Sequence, residues 1–153
     1  MFKAKTIQVI PTLTVHATYV ANDYVGTSAA PMEFALGTNN LSPRTGTIVS
    51  ATLIDYALQS ISTELWLFNA TVTPPDDSAA WTISDADALK LVGIIPFTTY
   101  YASVLNSVSE AIGQGIGFQL PVGGTSLFGC LVTRGAPTYA SGDVVVKLHV
   151  WED

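Results

Sequence analysis

The sequence predicts an all-β chain, an antiparallel β-sandwich (the jelly roll being one form of it) with one short helix. Three observations carry that expectation. Apolar residues alternate with polar ones at a period of two through much of the chain, the mark of strands with one buried face. Clusters of Pro, Gly, Asp and Ser interrupt those runs at short intervals. Only one stretch has the capping and charge pattern of a helix. The 153 residues suit a single β-sandwich domain over 1–153, long enough to bury a core without staples.

In chain order, Ile7, Val9, Leu13 and Val15 share one face, with Gln8, Thr12 and Thr14 on the other. Met32, Phe34 and Leu36 repeat the alternation around Glu33. The stretch from Thr47 to Tyr56 is rich in β-branched residues, which fit a pleated surface. From Glu64 to Phe68, Trp66 and Phe68 oppose Leu65 and Leu67, so both faces are apolar. A central strand covered by the other sheet on one side and by the helix or a neighbouring subunit on the other explains this. The segment Ser84 to Leu91 is the expected helix. Ser84 is a good N-cap, Asp85 and Asp87 suit the positive end of the helix dipole, Lys90 lies near the end, and Gly93 is placed to terminate it. Thr98–Leu105, Gly115–Leu120, Ser126–Thr133 and Asp143–Trp151 complete a set of about eight strands. The breakers are Ser42-Pro43, Pro74 to Asp77, Pro121 to Gly124, Arg134 to Pro137 and Ser141 to Asp143.

Hydrophobic residues make up 48% of the chain and charged ones 12%, about half the usual charged share of roughly 25%. That argues against disorder. It also favours an oligomer or a component of an assembly, because weakly charged surface is better hidden against neighbours. The net charge is −6, and the six cations, Lys3, Lys5, Arg44, Lys90, Arg134 and Lys147, form no run. Nucleic-acid and anionic-membrane partners both need clustered cations and are not expected. No apolar stretch reaches the roughly 18 residues of a spanning helix. The N-terminus, Met1 to Lys5 followed by Thr6 to Ile10, alternates like a strand and has no signal-peptide core, so a chain made in a cytoplasm and not exported through a cleaved signal is expected. Cys130 is the only cysteine, which excludes an internal disulfide.

Few residues suggest chemistry. His16 and His149 have no second His or Cys at ligand spacing, and His149 alternates with Lys147 and Trp151 toward the outer face. Cys130 sits in an apolar run and reads as a buried, inert thiol. No nucleophile elbow occurs. Gly113, Gly115 and Gly117 lack the strand-to-helix setting of a nucleotide loop and fit a flexible hairpin or a bulged strand. Asp76, Asp77, Asp85 and Asp87 invite a calcium site but lack its spacing and its closing Glu; turn chemistry and the helix start account for them. Trp66, Trp81, Trp151, Tyr100 and Tyr101 are candidates for a sugar-stacking platform or an interface hot spot, though in a small β-sandwich such rings are more often core and rim packing. No catalytic, cofactor-binding or metal-ligating residue can be named, and an enzyme is not expected.

Several stretches resemble a family of small structural proteins of tailed bacteriophages. They are Leu65-Trp-Leu-Phe68, Ala79 to Ala88 with Leu91 to Ile95, Gly124 to Gly129, Arg134 to Ser141 and Tyr19 to Gly26. The resemblance implies a virion structural protein, made in the host cytoplasm, that decorates or cements the outside of a capsid. Its expected partners are the major capsid protein and copies of itself, as a trimer or dimer. A tail, neck or fibre component, or a carbohydrate-binding module recognising host sugars, are the alternatives.

Overall fold

Alternation in the sequence becomes two packed antiparallel sheets in the computed structural model, which describes residues 3–14, 17–38 and 44–153. The strands are β1 (Lys3–Val9), β2 (Ala17–Thr18), β3 (Tyr24–Val25), β4 (Met32–Ala35), β5 (Thr45–Asp55) and β6 (Thr63–Phe68). After helix α1 (Asp85–Ala88) come β7 (Leu91–Phe97), β8 (Tyr101–Ala102), β9 (Ser107–Ala111), β10 (Ile116–Gln119), β11 (Ser126–Thr133), β12 (Thr138–Tyr139) and β13 (Val144–Glu152). The first sheet runs β1-β13-β5-β9-β8, with β10 also on β5; the second runs β3-β11-β6-β7, with β4 also on β11. β2 and β12 form a small separate pair.

With β3 and β4 counted as one position, and β9 and β10 as another, eight positions follow one another along the chain, leaving aside β8 and the β2–β12 pair. Their orders are 1-8-3-6 in one sheet and 2-7-4-5 in the other. That nesting of first with last is the winding of a jelly roll. β1 approaches β4 at one side of the sandwich, and β7 approaches β9 and β10 at the other.

The core lies between the sheets. Ile48, Ala51 and Leu53 of β5 meet Val144, Val146, Leu148 and Val150 of β13 in one buried cluster, together with Leu65, Leu67, Leu127 and Leu131 of the second sheet. Packing is close enough to require glycine at position 129: a Cβ there would come within 2.7 Å of the Phe34 ring and 3.0 Å of Leu65. At one end, buried Glu152 pairs with Lys5 at 2.6 Å and with buried Arg44 at 3.4 Å. Arg44 also donates to the Gly37 carbonyl at 2.6 Å. These contacts tie the last strand to the first and to the start of β5.

Three sequence expectations need correcting, and a fourth left two readings of which one holds. The helix covers only Asp85–Ala88; Leu91 and Gly93, expected to end it, lie in β7, where Gly93 pairs with Leu67 of β6. Burial of Ile95 and Phe97 in the core outweighs the local helical signal. The expected strand Thr98–Leu105 is strand only at Tyr101–Ala102, and β9 follows where none was expected. The first strand ends at Val9; Leu13 is core without being strand, and Val15 falls outside the described residues. Of the two readings of the glycine segment, the hairpin does not form and the interrupted strand does. β9 and β10 both pair with the same side of β5, and Gly113 and Gly115, at φ of 68° and 62°, break one long strand in two.

Candidate functional site

Several of the residues singled out for chemistry are built into the scaffold. His149 is half-buried on the outer face of the first sheet and hydrogen-bonded with the Thr6 hydroxyl at 2.9 Å. His16 lies outside the described residues. The Cys130 thiol is fully buried, and burial pushes its pKa up to about 12, which keeps it protonated.

The four aspartates do not converge. Asp77 is buried and accepts hydrogen bonds from the Thr14 N–H at 2.6 Å, the Tyr19 hydroxyl at 2.8 Å and the Gly26 N–H at 3.2 Å. Burial, followed by this carboxylate, pushes the Tyr19 hydroxyl far up, so it remains a donor. Asp87 accepts from the Lys90 ammonium at 2.7 Å and the Thr73 N–H at 3.0 Å, which holds its carboxyl below the usual carboxylate range. Its own N–H donates to the Ser84 hydroxyl at 3.1 Å, so Ser84 is the N-cap. Asp76 and Asp85 are exposed. Among the described residues, no three His, Cys, Asp or Glu side chains are grouped to hold a metal ion.

The aromatics divide three ways. Trp66 and Trp81 pack edge to face with ring centres 5.4 Å apart, and Trp81 also leans on Tyr24 at 5.9 Å. They belong to a second apolar cluster, with Phe68, Val72 and Cys130, on the side of the second sheet away from the main core. The chain's own 69–83 segment therefore covers the apolar outer face of β6, without the helix or a neighbour. Tyr100 packs against the main core and donates to the Ile61 carbonyl at 2.8 Å. Trp151 and Tyr101 are exposed on the outer face of the first sheet, near opposite ends of it. No flat platform collects the five rings.

The most exposed large apolar side chains are aliphatic: Val104, Leu89, Val122 and Leu105, of which two adjoin each other. Val104 is 91% exposed and Leu105 77%, at the tip of the β8–β9 hairpin. The turn beneath them is closed by the Ser103 N–H donating to the Asn106 carbonyl at 2.7 Å, and the Ser103 hydroxyl accepts from the Leu105 and Asn106 N–H groups. Sequence reasoning placed this segment inside a strand. The signal for it was local: Ser and Asn flanking two residues are turn formers. A shallow depression of about 340 Å³ lies by Asn69, Val122, Ser126 and Phe128. Its polar groups are occupied, Asn69 donating to the Gln119 carbonyl and Ser126 to Glu33.

No family of known proteins matches this chain, and none of the curated proteins is significantly similar to it.

Proposed function

We propose that this protein is a virion structural protein of a tailed bacteriophage, a capsid decoration (cement) protein that binds the outer capsid surface and stabilises the shell. The observation that carries the reading is the hairpin tip at residues 103–106. Two bare aliphatic side chains, Val104 and Leu105, stand on a turn already closed by Ser103. Pre-ordered apolar side chains lose little freedom when a partner covers them, so such a tip suits a permanent joint. The low charge of the chain supports the same reading, since surface destined for burial needs few charges. So does the likeness of its quoted stretches to small phage structural proteins. Jelly rolls recur in capsid proteins, which supports the reading by analogy of fold only. The partners are the major capsid protein and further copies of this chain, and the location is the virion.

Particles that lack the protein test this. They should still assemble, but release DNA at lower temperature or on osmotic shock, because a partner that binds the mature shell stabilises it by mass action. Purified protein added back should restore them, and the variant Val104→Asp/Leu105→Asp should not. Density for this chain confined to the tail, or robust particles that fail to adsorb to cells, would instead support a tail or sugar-binding role.

A further inference from the structure

The solvent face of an antiparallel sheet is ordinarily polar, and one row of the first sheet's outer face departs from that. Val145 of β13 lies opposite Ile54 of β5, Ile54 opposite Val108 of β9, and Val108 opposite Tyr101 of β8. Ile10, the residue after β1, continues the row beyond Val145, since Val9 pairs with Val146. Five apolar side chains thus run from one edge of the sheet to the other. Ile10 and Tyr101 at the ends are 52% and 71% exposed, Ile54 and Val108 between them are half-buried, and Val145 is already buried at 3%. One such residue would be ordinary, but four in one row with access to solvent, bridged by buried Val145, make an apolar stripe. The next row along carries Lys147 opposite Thr52 and Thr52 opposite Glu110, so opposite charges flank β5 at equal distance.

We propose that two copies of the chain pack through this face, about a two-fold axis running along β5. Such an axis exchanges the strands on either side of β5. Ile54 then meets Ile54 of the other copy, Val108 comes to lie over the position of buried Val145, and Ile10 meets Tyr101. Lys147 of each copy falls on Glu110 of the other, giving two symmetric charge pairs. A two-fold axis across the strands through the same row would set Lys147 on Lys147 and Glu110 on Glu110, so the charges select the first arrangement. This is the self-complementarity that a closed dimer requires. β1, β13 and β5 carry this face over about four rows, β9 adds only Val108 and Glu110 and β8 only Tyr101, so at strand and row spacings of about 4.8 and 6.8 Å the face is roughly 500 Å², smaller than the ~800 Å² per partner of a standard interface. The apolar stripe supplies the attraction, and the charged row supplies the register. This names the surface for the self-association proposed above. It is independent of capsid binding, because the isolated protein tests it.

Sedimentation equilibrium of the purified full chain up to about 100 µM, high enough to populate a weak interface, should show a dimer. Lys147→Glu and Glu110→Lys should each weaken the dimer by roughly tenfold, since each reverses two contacts. The double variant Lys147→Glu/Glu110→Lys should recover the wild-type constant within about threefold, as coupled pairs do. Within one chain the two residues lie on strands separated by β5, so thermal melts of all three variants, run at a concentration low enough to keep each monomeric, should match the wild type. Thr52→Lys, which sets like charges together on the axis, should give a folded monomer. A wild type that stays monomeric or forms a trimer, single reversals without effect, or a double variant that is not rescued would each overturn the proposal. None of those results would bear on the particle experiment.

Discussion

Asp77 shows how one side chain can hold several loops. Its carboxylate accepts from the segment after β1 at Thr14, from Tyr19 and from Gly26, while its own N–H donates to the Ser28 hydroxyl at 3.0 Å. Asp77→Asn keeps the shape but turns one acceptor oxygen into a donor facing donors. We expect a loss of about 2–3 kcal/mol, the cost of buried groups left unsatisfied. Urea unfolding checks this, and a change below about 0.5 kcal/mol would mean that the loops are held otherwise. Glu64 offers a test by pH. The Arg134 guanidinium, 2.6 Å away, holds its carboxyl below the ordinary 4.5, with the Trp66 indole N–H helping at 3.1 Å. A lowered folded pKa means stability that is present above the unfolded value and is lost as pH falls through the folded one. Glu64→Gln should therefore melt below the wild type at pH 7, with the gap closing as pH drops below 4.5. Melting curves from neutral to acid measure this, and a gap constant with pH would contradict it.

At the scale of elements, β6 is the strand whose surroundings were half legible. Its two apolar faces announced a strand covered on both sides, and the structure has Leu65 and Leu67 in the main core and Trp66 and Phe68 in the second cluster. The cover is Val72, Trp81 and Ile83 from the connection to α1, which removes this strand as a reason for self-association. Trp81→Ala should uncover the face and cost about 2–4 kcal/mol, somewhat like other aromatic truncations but moderated by partial exposure. Denaturant midpoints, together with binding of an apolar dye, measure the outcome. An unchanged midpoint would show that the segment is packed without the indole. The helix, by contrast, was overread: Ser84 caps it as expected, but one turn later the chain becomes the edge strand of the sheet. Propensity over a few residues yields to the burial of Ile95 and Phe97.

For the whole molecule, the jelly-roll order places first and last strands side by side, and the Lys5–Glu152–Arg44 ion cluster fastens that end. Such long-range closure makes a firm body out of short strands. A firm body is what a joint between larger subunits requires. The particle experiment belongs to this scale, because in the proposed role a small stabilisation from each copy would be multiplied over all the copies on a shell. The proposed dimer belongs here as well, since its charged row has meaning only when Lys147 and Glu110, 37 residues apart in sequence, are read across β5.

The sequence alone determined the all-β class, most strand positions, the burial of Cys130, the cap at Ser84 and the outward placement of His149. Each of these follows from alternation or from local hydrogen-bonding chemistry, which act over a few residues. The tertiary structure decided which strands neighbour which, and therefore the apolar row from Ile10 to Tyr101 and the charges beside it. It also decided that Thr98–Leu105 divides into a short edge strand and an exposed turn, and, of the two readings open for the glycine segment, that Gly113 and Gly115 interrupt a strand. The physical reason is that period-two patterning says which side of a strand is buried but carries no information about its lateral partners. Cross-strand register is set only when the two sheets close on a common core.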